Sequence, residues 1–320
     1  MAGMAEAARG AALGGASANR YGRVSELRLL AREREGRTVV PELFCTQPFK
    51  VMHPFAVDAE TLPGLSRAAA DVASPLFGCK PAQVMVMSVS AGIMAGDEQR
   101  IDVRVEPGAA MQAVTQAFEK IHRMGEGESA RRSTRIAVSS GAYLDYSPLP
   151  QVPFAGSSFA SGTSIDLADA SSRLVYSEML SCGRAARGER FAYRRYRNRV
   201  RIEVAGDPVF IDNTVYEPMG GALGAPVDME GIGFYEGFTH LANLVLVNLD
   251  VDGERFEAMR AYLREQTGVI GASAVPVDAT SSEAVAGGIT RLESGACLVK
   301  LLGHRAQRLQ QVMAGVRALL

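Results

Sequence analysis

Ile101-Asp102-Val103-Arg104-Val105 alternates apolar with polar residues, and Pro107-Gly108-Ala109 follows almost at once. Alternation with a period of two sends neighbouring side chains to opposite faces of a strand, and a Pro-Gly pair turns the chain. The same pairing of a turn with a strand recurs at Ser140-Gly141-Ala142, Ala170-Ser171-Ser172 and Ala205-Gly206-Asp207. Taken at Gly108, Gly141, Ser172 and Gly206, the steps are 33, 31 and 34 residues. A step of that length has room for three or four strands with their turns. Repetition on this scale predicts stacked β-layers, each covering its neighbour. The alternative is an all-β chain with turns at ordinary intervals.

Outward from this stretch, Val84-Met85-Val86-Met87, Tyr143-Leu144-Asp145-Tyr146 and Val209-Phe210-Ile211 are short and β-prone, with Gly, Pro, Ser and Asp between them. Helix signals are few. Glu254 to Gln266 carries Phe256, Met259 and Leu263 on one face, and Arg305 to Leu320 carries Leu309, Val312, Val316 and Leu319 at the same spacing. Leu65 to Val72, between Pro63 and Pro75, is a shorter candidate. The predicted class is mainly β: an elongated layered or superhelical stack of antiparallel β-strands with about two α-helices, one at the C-terminus. An amphipathic face usually packs on its own domain, but a terminal one is easily presented to a partner. Leu309, Val312, Val316 and Leu319 are therefore candidate docking residues.

The 320 residues include 34 Lys+Arg and 35 Asp+Glu, a formal net charge of -1, and 47% are hydrophobic. That composition supplies a sizeable core and excludes wholesale disorder. A balanced charge argues against binding nucleic acid through the overall field. No apolar run approaches the ~20 residues that span a bilayer. Residues 1–22 are rich in Ala and Gly, interrupted by Glu6 and Arg9, and are expected to form a flexible tail before a single β-rich domain over 23–320. Cys45, Cys79, Cys182 and Cys297 are widely spaced without a C-x-x-C pair, which suits reduced thiols in a cytoplasmic protein.

No phosphate loop, H-E-x-x-H or G-x-S-x-G elbow is present; Gly78-Cys79-Lys80 lacks the upstream glycine and the following hydroxyl residue. His53, His122, His240 and His304 are scattered, and a lone histidine is more often structural than a ligand. His122 stands out because Glu119, Lys120 and Arg123 surround it, either as solvated surface or as the lining of a polar groove. In Phe191-Ala192-Tyr193-Arg194-Arg195-Tyr196-Arg197-Asn198-Arg199-Val200-Arg201-Ile202, a strand places Arg195, Arg197, Arg199 and Arg201 on one face. That face is an exposed surface, a guarded sheet edge or a site for an acidic partner; nucleic acid stacking on the tyrosines is the less favoured option. Asp97, after the small residues Ser88 to Gly96, caps a turn or offers a carboxylate to a cation.

Four segments in order carry a resemblance. Ser90-Ala91-Gly92-Ile93-Met94-Ala95-Gly96-Asp97 is similar to S-P-G-x-x-x-G-D, and Thr115-Gln116-Ala117-Phe118-Glu119-Lys120 matches T-Q-x-x-x-K. Pro148-Leu149-Pro150-Gln151-Val152-Pro153-Phe154 matches P-x-P-x-x-P-F, and Gly183-Arg184-Ala185-Ala186-Arg187-Gly188-Glu189-Arg190-Phe191 matches G-R-x-A-x-G-E-x-F. Together with Asp212-Asn213-Thr214 and Gly237-Phe238-Thr239-His240, they resemble the urease accessory protein family UreD, also called UreH, from about Val24 onward. Ala91 stands where the family usually has proline and Ala95 where glycine is frequent; 66–82 looks like an insertion.

The resemblance implies a mostly β scaffold without turnover of its own. It implies binding of UreF, recruitment through UreF of the nickel-carrying GTPase UreG, and docking on apo-urease, with a dimer of heterodimers with UreF as the expected assembly. No tightly bound cofactor is implied; Ni²⁺ passes transiently, and GTP enters only through UreG. Selectivity for such an ion comes from geometry and route rather than raw affinity. Asp97, His122 and Glu189 are accordingly expected along an internal polar passage. Two other classes compete: a β-solenoid enzyme acting on carbohydrate, which needs a placed pair of carboxylates, and a nucleic-acid module built on the arginine strand.

Overall fold

The computed structural model describes residues 24–220, 224–267, 269–270, 273–274 and 281–320. The expected tail, 1–22, lies outside them. The chain starts with β1 (Val24–Arg34), β2 (Arg37–Cys45), β3 (Phe49–Val51) and β4 (Phe55–Ala56), then helix α1 (Leu65–Ala70) and β5 (Ala82–Ser88). The repeating part follows: β6 (Glu98–Val105), β7 (Ala110–Gln116), β8 (Glu119–Ile121), β9 (Ala130–Val138), β10 (Tyr143–Ser147), β11 (Gln151–Pro153), β12 (Ser158–Leu167), β13 (Arg173–Ser181) and β14 (Arg195–Val204). It closes with β15 (Asp207–Tyr216), β16 (His240–Val247), α2 (Gly253–Gln266), β17 (Val269–Ile270), β18 (Ser273–Ala274), β19 (Val285–Arg291), β20 (Cys297–Gly303) and α3 (Ala306–Arg317).

Successive long strands alternate between two sheets. One has seven strands in the order β15-β14-β12-β9-β6-β1-β2; the main path of the other runs β19-β20-β16-β13-β10-β7-β5-β3. Each circuit returns the chain to the same sheet in the same direction, so equivalent strands pair in parallel: Glu98 lies beside Arg131, and Arg131 beside Ala160. The mainly β layered stack is as expected; within the repeat its strands pair in parallel rather than antiparallel. Antiparallel pairs remain at both ends, where hairpins such as β1–β2 and β14–β15 finish the layers. The first two units hold three strands each, two long and one short (β8 or β11), at the lower end of the expected three or four.

The period read from the turns is a physical stack. Gly108 donates its N–H to the Gly141 carbonyl, Tyr143 to Ala109 and Arg173 to Ala142, so the three turns lie one on another. Gly141 needs its missing side chain: its φ is +65°, and a Cβ would sit 2.6 Å from Pro75 Cγ.

Between the sheets lies an apolar core with Leu29, Val84, Val103, Met111, Ile136, Leu144, Ile165 and Val200. An aromatic cluster of Phe159, Phe191, Tyr193, Tyr196 and Tyr235 continues it. The helices cover the other face of the larger sheet, and among the described residues no helix packs on the outer face of the seven-stranded sheet. Among the described residues no helix is long and apolar enough to cross a membrane.

All three helical segments form, α2 with its N-cap at Asp252, whose carboxylate accepts the Arg255 N–H at 2.8 Å. The expectation for the last helix needs correction. Leu309, Val312 and Val316 are fully buried against the larger sheet, and Leu319 packs on the same cluster. A face already filled by the chain's own core leaves nothing for a partner to bury. Leu309→Ala is expected to destabilise the fold by about 2–5 kcal/mol through the cavity it leaves, measured by urea unfolding. A loss well under about 1 kcal/mol would mark the face as peripheral.

Candidate functional site

The four segments that carry the family resemblance meet at one corner of the stack. Ile93 donates to the Lys120 carbonyl, His122 to Ile93, Phe154 to Ile121 and Gly156 to Ala192, which ties successive circuits together. Gly92 permits the closest approach: at φ +146°, a Cβ would fall on the Lys120 carbonyl and lie 3.0 Å from the His122 ring. Gly183 is similar, at φ +130° with a Cβ position 2.8 Å from the Glu189 carbonyl.

Asp97, His122 and Glu189 all lie at this corner, half-buried, but each has a structural partner of its own. Asp97 accepts the Met94 N–H at 2.8 Å. His122 Nε2 donates to the Ala91 carbonyl at 3.0 Å, and its ring meets the edge of Phe154. Glu189 forms a forked ion pair with Arg184, whose guanidinium lies 4.1 Å from the centre of the Phe154 ring. That pairing holds the Glu189 carboxyl below the usual carboxylate range. The Phe154 ring thus links His122 to Glu189, yet the three do not converge on one point. Among the described residues no group of three or more His, Cys, Asp or Glu is placed to hold a metal ion. Cys182, next to this corner, has its thiol pushed up to about 11, chiefly by burial.

The enclosed polar groups lie deeper. A cavity of about 210 Å³ opens between the sheets beneath Ser90–Ile93, and Arg132 and Glu119 are in its wall. These two form an ion pair, and Arg132 Nε donates to Gln99 Oε1 at 2.9 Å. Gln151 borders this cavity and also a second one of about 20 Å³, large enough for roughly one water. Glu178 faces the second cavity. Its carboxylate accepts from Tyr176 Oη at 2.9 Å, Asn198 Nδ2 at 2.7 Å and Asn243 Nδ2 at 2.8 Å. Burial pushes the Glu178 carboxyl up, and those three donors work against the rise. Tyr196 Oη donates to Gln151 Oε1 at 2.9 Å, and the buried Asn243 Oδ1 has no hydrogen-bond partner among the described residues. A seam of polar side chains thus crosses an otherwise apolar interior.

Sequence reasoning missed most of this seam. The available signal was Glu178 itself, a lone acid in Leu174-Val175-Tyr176-Ser177-Glu178-Met179-Leu180. A strand apolar on both faces is buried on both, and an acid within it needs partners.

The arginine strand has the facing read from its sequence. Arg195, Arg197, Arg199 and Arg201 point outward, and Tyr196, Asn198, Val200 and Ile202 are buried. The guarded-edge reading is corrected, because β15 pairs along β14 and is itself the edge.

Stacked circuits with a polar seam inside and a charged open face outside define a coiled two-sheet β-protein. Comparison with known proteins gives that architecture a family. The family model for UreD urease accessory protein matches residues 23–320, and the chain belongs to that family. Urease accessory protein UreD of Acetivibrio thermocellus is 30% identical over 302 residues, 94% of this chain and 99% of its own. Urease accessory protein UreH of Helicobacter pylori (strain G27) is 33% identical over 255 residues, 79% of this chain and 84% of its own. UreD of Actinobacillus pleuropneumoniae serotype 5b is 29% identical over 278 residues.

Proposed function

We propose that this chain is the scaffold on which urease is loaded with nickel in the cytoplasm. It binds UreF as a dimer of heterodimers; UreF brings the nickel-carrying GTPase UreG, and the assembly docks on apo-urease. GTP hydrolysis belongs to UreG, and this chain performs no bond chemistry. Ni²⁺ is cargo, held weakly enough to be released. The observation that carries this reading is the family match over residues 23–320.

The polar seam supports a route for the ion. It runs from Glu119 and Arg132 in the larger cavity, past Gln151, to Glu178 in the smaller one. Asp97, His122 and Glu189 hold the corner above it, with His122 fixing the Ala91 carbonyl at the lip of the larger cavity. In this role they shape the entrance and need not ligate the ion.

Co-expression with UreF and apo-urease, followed by size and nickel measurements, tests the assembly. A joint complex and a urease whose nickel content depends on this chain are expected. Full metallation without the chain under limiting nickel overturns the reading. Combined replacement of Asp97, His122 and Glu189 by Ala is expected to lower urease activation; unchanged activation removes the corner from the route.

A further inference from the structure

The open face of the seven-stranded sheet carries a groove of about 890 Å³. Part of its floor is β12, whose outward residues Ala160, Gly162 and Ser164 have almost no side chain. Flanking strands raise arginines in register: Ala160 lies between Arg131 and Arg197, Gly162 lies beside Arg199, and Ser164 lies between Arg135 and Arg201. Strands two places apart in a sheet are separated by about 10 Å, so the guanidinium groups border a trough about as wide as one extended chain.

Arg131 is engaged by Glu98 and Arg201 by Glu203. Arg135, Arg197 and Arg199 have no hydrogen-bond or ion-pair partner among the described residues. Asp102 stands beside Arg135 in register but pairs with Arg104, and no acid lies beside Arg197 or Arg199 on the β12 side. Like charges so placed repel, and on an inner strand they are not needed to guard an edge. Beyond β14, Val215 and Ile211 are 43% and 52% exposed, opposite Arg197 and Arg201.

We propose that this groove binds an extended acidic segment of a protein partner, with alternate carboxylates on Arg197, Arg199 and Arg135. Arg197 and Arg199 are two residues apart on one strand, a repeat of about 6.6 Å, and carboxylates at every second position of an extended peptide repeat at the same distance. Guanidinium forks match carboxylates in geometry as well as charge. The apolar rim of Val215 and Ile211 takes apolar side chains flanking the acidic run. A nucleic acid fits less well: Glu98 and Asp102 line the groove beside Arg131 and Arg135, Glu26 lies one strand further, and no aromatic side chain among the described lining residues offers a stacking surface. This deepens the scaffold reading without depending on which partner supplies the segment. Urease activation tests that reading, and peptide binding tests this one.

Fluorescence anisotropy of the full chain at low salt decides it, using a labelled peptide of four Glu alternating with four Ser. A peptide with the same four Glu contiguous and an oligothymidylate of equal charge are the comparators. The alternating peptide is expected to bind about tenfold more tightly than the contiguous one, and R197A/R199A to weaken it about tenfold or more. R260A, on an exposed helix surface, serves as control and is expected to have no effect. Circular dichroism checks the fold, and R135A reads the same loss if the double variant is misfolded. Equal affinity for the two peptides, or unchanged binding by the arginine variants, overturns the proposal. So does tighter binding of the oligothymidylate, which assigns the groove to nucleic acid.

Discussion

Glu178→Ala is expected to destabilise the protein by about 3–5 kcal/mol, whereas Glu178→Gln leaves it at least as stable as the parent near neutral pH. The alanine variant strands the Tyr176 hydroxyl and the amides of Asn198 and Asn243, all of which donate to this carboxylate. Each orphaned buried donor costs about 1–3 kcal/mol, and a water in the adjoining cavity offsets part of it. Glutamine keeps the shape. Its oxygen replaces the one that accepts from Tyr176 and Asn198, and its amide meets Asn243. A flip of the Asn243 amide then presents its unpartnered Oδ1 to the new donor.

The pH dependence separates the two effects. Burial raises the folded-state pKa of Glu178 above its unfolded value. Protonated Glu178 is therefore the form the fold favours. Its contribution to stability is full below the ordinary carboxylate range and is lost as pH rises through the folded-state pKa. Glu178→Gln removes that loss, so its advantage over the parent grows as pH rises above the ordinary carboxylate range in urea unfolding. An advantage that shrinks over this range contradicts the burial account. The same variant tests the passage, because it removes a carboxyl that can ionise against an arriving cation and retains the fold. Urease activation at limiting nickel is expected to fall about tenfold, the worth of one carboxylate–cation contact of roughly 1.4 kcal/mol.

Arg317→Ala is expected to be as damaging, by about 3–5 kcal/mol, for a different reason. Asp145 has a fully buried side chain on the helix-covered face of β10, and Arg317 of α3 reaches it at 3.3 Å. Gln112 Nε2 donates to the same carboxylate at 2.8 Å, and Arg317 Nη2 donates to Ser147 Oγ at 2.7 Å. Removing the guanidinium leaves a buried charge with only neutral partners. The last helix, whose other side-chain polar contacts run from Arg308 to Gln266 and Glu283, loses its polar anchor to the repeat. Asp145→Asn in the Arg317→Ala background removes the stranded charge and is expected to recover part of the loss in urea unfolding. Equal stability of the single and double variants would show that the ion pair is not what anchors the helix.

The β-class, the roughly 33-residue step and the two-faced arginine strand were legible because each depends on local spacing. Alternation in Ile101–Val105 and in Arg195–Ile202 sets which side chains share a face, whatever the strand lies against. The glycines at 92 and 183 were visible as residues, but the carbonyls they clear, Lys120 for Gly92 and Glu189 and Pro153 for Gly183, are brought in by the folded loops. Asp97, His122 and Glu189 lie in motifs legible in the sequence, yet their partners were not readable. Met94, Ala91 and Arg184 compete for them through bonds that depend on loop geometry.

Strand direction, the covering of α3 and the polar seam were out of reach of the sequence, because each is a fact about residues far apart along the chain. Glu178 meets Asn243 across 65 positions, and Arg317 meets Asp145 across 172. A repeat length is carried by the covalent chain; parallel or antiparallel pairing depends on how the chain travels between strands. An amphipathic helix carries its apolar face in its own spacing, whereas the occupant of that face is chosen by whichever surface packs first and best. Here the larger sheet takes it.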